Sequence, residues 1–505
     1  MNVFQAGYAV VNIDPSLGIG IQGDYVPGFT KGQCFAPTSY GRMINSKEDL
    51  IMSGFHVGYA SVNINPTLGI AIRGYYVPRF ARGYLDDLEA SALALQLGDR
   101  QVVLISVDSC GLNAAMVNRY RSAIEKATGV KAEDLFLTAT HTHTGPFLQH
   151  CDVFEADDAP ILRYADFLEE RLIDLVKLAV ADLKPARMGF IQGQAPDRIA
   201  YIRRYKMKDG TTMTCPPIND PNIDHPIGEL DQRVNLLRFD QEGGQSIVIL
   251  NYGVHADTIN GDLLSSDWPG WTRRTIAKAL DGVKVMCLVG AQGDVGSTHV
   301  FPSGGDMNDT EISFDNEMKS PGMARFVGRA LAGTILQVYD KAEYVDVDRL
   351  QILHRIVDIP ANRPAPEDLP RAHLYKELHD AGRDADIPYT AMELTTVVAE
   401  ALRMCELEHG PDAYHLELTG VQIGPVALVG IPGEPFTGIG VQIKEAEGWS
   451  IILPCCLTNG SEGYFPMQDA FDEGGYEARS SRFRPGVAER VIAGGKSLLR
   501  EMKEA

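Results

Sequence analysis

Residues 135–146 read Leu-Phe-Leu-Thr-Ala-Thr-His-Thr-His-Thr-Gly-Pro, an apolar run that ends in two histidines and a Gly-Pro turn. The run at 135–139 is short and continuous, the pattern of a buried parallel strand. Such a strand delivers imidazoles to the carboxyl end of a sheet, where open α/β sheets bind their ligands. Side chains alternate along a strand, so His141 and His143 share a face if the extended geometry continues through them. One imidazole then suits a metal, and the other a proton or a substrate oxygen. Taken alone, the stretch reads equally well as a polar loop with two surface histidines, and the rest of the chain has to decide.

Outward from this stretch, strand-like and helix-like segments alternate. Residues 102–107 form a strand pattern and 115–127 a helix pattern. A long amphipathic helix follows over 160–183, with Pro160 in its first turn and Tyr164, Leu168, Leu172, Leu175 and Val176 on one side. Lys184-Pro185 ends it. Residues 247–250, 268–280 and 283–289 continue as strand, helix and strand. This order predicts an α/β fold: a mixed, largely parallel sheet flanked by helices, with the active site at the strand carboxyl ends. Beyond Asp340 the pattern loosens. A strand at 350–359 precedes a Pro-rich, charged and then helical insertion over 360–411, periodic at 391–405, which reads as a solvated helical pair. A hairpin through Gly424-Pro425, a strand at 451–453 and a helix at 485–502 follow.

Composition narrows the partners. The chain has 505 residues, 45% hydrophobic and 22% charged, enough to bury a large core. A formal charge of −21 argues against nucleic acid or an anionic membrane. The start, Met-Asn-Val-Phe-Gln-Ala-Gly, lacks the basic and apolar regions of a secretory signal, and no stretch approaches the ~20 apolar residues of a membrane span. The 8 cysteines show no zinc-finger spacing, and several, such as Cys287, sit in apolar runs as free thiols. A cytoplasmic protein acting on a small molecule, without a membrane anchor, is the expectation.

The beginning repeats itself. Residues 4–29 and 55–80 align without a gap, most positions being identical, but only the second copy runs straight on into the body through residues 88–95. Two copies are too few for a stacked array. Residues 1–51 are therefore expected to be a duplicated appendage and linker, adding a strand to an edge of the same subunit or of a neighbour in a homo-oligomer. Met52 would begin the complete domain, 52–505.

Three further strands end in polar residues. They lead to Asn251-Tyr252-Gly253-Val254-His255-Ala256-Asp257, to Gly430-Ile431-Pro432-Gly433-Glu434-Pro435, and to residues 459–466 with Tyr464, followed by Tyr476. The glycines around Glu434 let the backbone turn tightly and place one carboxylate at a strand end. Two imidazoles, a carboxylate and a phenolate suit zinc, which takes nitrogen and oxygen donors at four positions. Each site alone is more often structural; their shared position at strand ends favours function.

From Gly58-Tyr59-Ala60 through Thr140–Pro146, and on through Asn251–His255, Ser265-Ser266-Asp267, Gly293-Asp294-Val295, Pro432-Gly433-Glu434, Tyr464 and Tyr476, the chain resembles the neutral/alkaline (non-lysosomal) ceramidase family. The resemblance covers nearly everything after Phe55. It implies a zinc-dependent hydrolase that cleaves an amide (N-acyl) bond by metal-activated water. His141, His255, Glu434 and Tyr464 correspond to the family's zinc ligands. His143, Tyr476 and Arg203, from the pair Arg203-Arg204, match groups that hold the substrate amide and its oxyanion. Two departures stand out. The family's Gly-Asp-Val-Ser motif, whose serine is treated as nucleophile or as partner of the zinc-bound water, appears here as Gly293-Asp294-Val295-Gly296 with Ser297 one residue late, and Asp294 and Ser297 join the expected catalytic residues. The family's C-terminal immunoglobulin-like domain is expected to be absent. The alternatives are a zinc-dependent hydrolase of a soluble ester or glycoconjugate, and a catalytically inactive, zinc-stabilised binding protein.

Overall fold

The second copy of the repeated segment supplies the first strand, β1 (Phe55–Asn63), at the middle of a large sheet. The computed structural model describes residues 54–151, 153–301 and 319–504; the copy and linker expected over 1–51 lie outside them. The sheet continues with β2 (Glu89–Leu97), β3 (Arg100–Val107), β4 (Leu135–Ala139), β5 (Lys184–Gln194), β6 (Arg233–Gln241), β7 (Ser246–Tyr252) and β8 (Lys284–Val289). Its spatial order is β8-β7-β6-β5-β1-β2-β3-β4, and the short strand Glu343–Val345 adds to β5. A second sheet has the order β9 (Leu350–Pro360), β10 (Ala413–Ile423), β11 (Val426–Gly430) and β12 (Ile451–Cys455).

The mixed α/β class is as expected. Parallel pairing is concentrated in three pairs, β3–β4, β7–β8 and β11–β12. The other ladders of these two sheets are antiparallel. Connection length explains the division, because a tight turn can join only antiparallel neighbours, whereas parallel neighbours need a crossover. Gly98 turns β2 into β3 with φ +57, while α1 (Ala114–Thr128) carries β3 over to β4. Three strands escape the apolar-run signal altogether. Lys184-Pro185 follows α2 (Asp158–Ala181) and opens β5, and the charged ends of β6 and the small residues of β1 mask their pairing.

Each sheet buries both faces, so the layers run helix, sheet, sheet, helix. On the outer side α1 and α2 press Tyr120, Ile124, Leu168 and Leu172 onto Ala92, Ile105 and Leu137. At the other end α3 (Asp267–Ala279) and α4 (Pro321–Val338) cover Leu236, Leu250 and Val285. The inner faces share a core in which Leu104, Phe136 and Met286 meet Val421, Leu428 and Leu453. Two helices, α5 (Leu369–Asp380) and α6 (Ala391–Glu408), fill the insertion, and Val397 and Val398 of α6 share a small apolar cluster with Tyr76. Beyond the second sheet lie α7 (Thr437–Lys444) and α8 (Val487–Glu504). No helix among the described residues is long and apolar enough to cross a membrane, and the described cysteines are all free thiols.

The carboxyl ends of strands from both sheets are tied together. Ala139 N donates to Leu457 O at 3.2 Å, Cys456 N to Val289 O at 2.9 Å, and the Asn251 amide to both Leu288 O and Pro454 O. β4, β7, β8, β11 and β12 thus open onto one region.

Candidate active site

The chain does not stay extended past β4. His141 takes a left-handed φ of +65°, so strand alternation stops there. The two imidazoles converge through this kink, with ring centroids 4.7 Å apart and Nε2 atoms 3.1 Å apart. His255, beyond β7, brings a third ring 4.8 Å from that of His141.

Backbone carbonyls fix two of these rings. His141 Nδ1 donates to Cys110 O at 2.7 Å, and His255 Nδ1 lies 2.9 Å from both Gln292 O and Val295 O. A carbonyl only accepts, so each Nδ1 carries the hydrogen and each Nε2 presents a lone pair. Both lone pairs face the same atom, Glu434 Oε2, at 3.2 Å and 3.1 Å. Three acceptors in one buried spot repel unless a cation or proton lies among them. Against the cost of its burial, the Glu434 carboxylate holds His141 well above the ordinary imidazole range. Burial, with Arg203 beside it, pushes His255 down to about 4, and Glu434, despite its own burial, is held well below the carboxylate range by His141. The Arg203 guanidinium, with Nη1 3.3 Å from His255 Nε2, brings positive charge to this spot. Two imidazoles, each oriented by a carbonyl, and one carboxylate form a group that could hold a metal ion.

Around this cluster lie the other expected residues. Tyr464 pairs in register with Glu434 in a two-residue parallel ladder. Its phenol is pushed well above its ordinary range by burial and by Glu434, and it hydrogen-bonds with Arg203. Of the arginine pair, Arg203 faces the cluster: its Nη1 is 3.3 Å from His255 Nε2, its Nε donates to the fully buried Glu477 at 2.7 Å, and its Nη2 donates to Gly293 O. Arg204 turns away to Glu473. The rings of Tyr476 and Tyr464 meet edge to face at 5.5 Å, and the Tyr476 hydroxyl lies 3.4 Å from that of Tyr76. The carboxylate of Asp294, another residue expected in catalysis, accepts from Thr437 N and Oγ at the start of α7. Ser297 is buried, with no hydrogen-bond partner for its hydroxyl among the described residues. A Cβ added at Gly296 would meet nothing nearer than Arg203 Cβ at 3.7 Å, so the glycine leaves room beside the arginine.

His143 has a supporting group that its sequence context does not announce. Its Nδ1 is 3.6 Å from Asp257, whose carboxylate accepts from both the Tyr75 hydroxyl and the Lys319 ammonium. Burial pushes His143 well below the imidazole range, whereas Lys319 and His143 hold Asp257 low in spite of its burial. Gly74 lets the chain pass close to this ring, with φ +126 and only 2.8 Å from a built Cβ to His143 Cβ. Asp257 falls in a quoted strand-end stretch, and Glu477 adjoins Tyr476, yet neither has a spacing that marks it. Tyr75 and Lys319 carry no sequence signal. The whole opens into a pocket of about 930 Å³, counted out to its mouth, lined by His141, His143, Glu434, Tyr464 and Tyr476 among others.

No family model matches the sequence, and neither does any curated protein. Solved structures do match. The neutral ceramidase from Pseudomonas aeruginosa superposes with a TM-score of 0.66 at 17% identity, over 89% of this chain and 75% of that one. A ceramidase complexed with C2 gives 0.65 at the same identity and coverage. At that identity the likeness is one of architecture: the chain has a ceramidase-like fold.

Proposed function

We propose that this protein is a zinc-dependent hydrolase that cleaves an amide bond. The observation that carries the reading is the convergence of His141 Nε2 and His255 Nε2 on one Glu434 carboxylate oxygen, at 3.2 Å and 3.1 Å, with His141 and Glu434 lining the pocket. His141, His255, Glu434 and Tyr464 would hold the ion. Bound there, zinc supplies Lewis acidity to a carbonyl and lowers the pKa of water toward about 7.

The chain's own groups supply the rest. Asp257 favours the hydrogen of His143 on Nδ1, leaving Nε2 to take a proton and pass it to the departing nitrogen. Arg203, held rigid by Glu477 and Gly293 O, and the Tyr476 phenol donate to the developing oxyanion. A preorganised donor of this kind is worth on the order of 3 kcal/mol. Water is the nucleophile in this scheme, because the Ser297 hydroxyl has no base beside it and Gly296 offers none. The bond is that of a small amide, an N-acyl group in particular.

Turnover of a labelled amide and ester panel, by zinc-loaded and by chelator-treated protein in isotopic water, tests this. The expected result is chelator-sensitive amide cleavage with one labelled oxygen in the carboxylate product. A covalent adduct at Ser297 would overturn the water mechanism. Zinc binding without turnover of any amide or ester would leave a binding protein.

A further inference from the structure

The arginines around the pocket differ in what they face. Arg203 is matched by Glu477, and Arg482 by Glu406 at 3.1 Å and Glu462 at 3.6 Å. Arg73 lines the same pocket, yet among the described residues no carboxylate lies within ion-pair distance of it. Its Nη1 donates to Gly111 O at 3.1 Å, leaving most of its fork unused. Gly111 directly follows Cys110, whose carbonyl orients His141. The guanidinium therefore sits one residue from a contact of the metal cluster. The Ser461 hydroxyl comes to the same place: a Cβ built on Gly111 would lie 2.4 Å from Ser461 Oγ and 3.7 Å from Arg73 Nη1. Only Phe147 and Val153 bring wholly apolar side chains to this lining, beside the rings of Tyr75, Tyr76, Tyr464 and Tyr476.

We infer that Arg73, with Ser461 beside it, reads a carboxylate on the substrate close to the scissile amide, so that the substrate class is the N-acyl amino acids. The inference rests on the hydrolase reading and adds the chemical class to it. A guanidinium left without a carboxylate is matched bidentately by one from the ligand. Arg73 lines one pocket with His141 and Glu434, so the arrangement suits a carboxylate on the same small substrate as the scissile amide, as on the α-carbon of an amino acid. The chain also carries the neutral version of this position. In the repeat over residues 4–29 the counterpart of Arg73 is Gln22, and that of Tyr75 is Asp24. Only the copy that enters the described fold has the arginine.

The test compares two near-isosteric substrates, N-acetyl-leucine and N-acetyl-leucinamide, on zinc-loaded full-length protein. The expected wild-type preference in kcat/KM is at least about tenfold for the acid, expressed mainly in KM. In R73Q the ratio between acid and amide falls toward one, and R73K restores part of it. Competitive inhibition of the wild type by free carboxylates against their carboxamides reads the same preference without a variant. Equal turnover of acid and amide, unchanged in R73Q, would refute the inference and leave the hydrolase reading intact. If neither substrate is turned over, the amide and ester panel decides the hydrolase reading separately. Calorimetric binding of the two compounds to wild type and R73Q then decides the inference, and equal affinities overturn it.

Discussion

Replacing Glu434 with Gln separates the role of the carboxylate in metal binding from its role in the fold. The side chains are nearly isosteric, and the amide can donate to one of the two Nε2 atoms that the carboxylate now faces at 3.1–3.2 Å. The metal-free protein is therefore expected to keep or gain stability, since a buried charge has been removed. Zinc tells the two apart. A ligand at about 1,000 times its Kd stabilises the folded state by about 4.1 kcal/mol. With unfolding entropy near 2.1 cal/mol/K per residue, a chain of 505 residues loses roughly 1 kcal/mol per degree at its midpoint, so the gain appears as about 4 °C. Loss of an anionic ligand that weakens zinc about 100-fold would remove roughly 2.7 kcal/mol of that gain and leave a shift of 1–2 °C. Scanning calorimetry of stripped protein against added zinc measures both. A Gln variant with the full zinc shift, or a wild type that melts identically with and without zinc, would refute the assignment of Glu434 as a ligand.

Three other substitutions carry expectations. Gly296→Ser places a side chain with no built contact under 3.7 Å, so stability should change by less than about 1 kcal/mol and activity by less than tenfold; a large gain with an acylated serine would show that the glycine had cost a nucleophile. Gly74→Ala forces a side chain into positive φ and against His143, and should cost about 1–3 kcal/mol with at least a tenfold loss of turnover; wild-type melting and kinetics would contradict the close approach. Glu417 is buried in part, but its hydrogen bond to His354 and the charge of Arg121 lower its carboxyl to about 2. A depressed carboxyl contributes stability above its unfolded value of 4.5 and loses it as pH falls toward the folded value. Glu417→Gln should therefore flatten the acid limb of the melting curve between those limits, by on the order of 1 kcal/mol after solvent screening. An unchanged acid limb would count against the ion pair.

What could be read in the sequence follows from how local each signal is. β4, β7, β8, β11 and β12 announce themselves because strands buried on both faces are apolar throughout, and their crossover helices carry a 3.6 period. β5 begins with Lys-Pro and contains two glycines, so nothing along its length shows that β1 and β6 complete it. The site divides the same way. His141, His255, Glu434 and Tyr464 sit just past apolar runs, where a strand-end argument finds them. The kink at His141 does not show, since a left-handed φ at a histidine is imposed by tertiary packing. Asp257 approaches His143, and Lys319 pairs with Asp257, only when distant segments meet, and the unmatched charge of Arg73 appears only once the ion pairs of its neighbours are known.

The site is assembled from the ends of strands in both sheets, and this orders events during synthesis. His141 leaves the ribosome well ahead of Glu434; at about 5–20 residues per second, the 293 residues between positions 141 and 434 take roughly 15–60 s. His255 follows 114 residues after His141, Glu434 is lacking until the end of the interval, and Tyr464 comes later still. On the zinc-site proposal, metal capture would wait until the second sheet has closed on the first, and a chain stalled before β11 would lack both Glu434 and Tyr464.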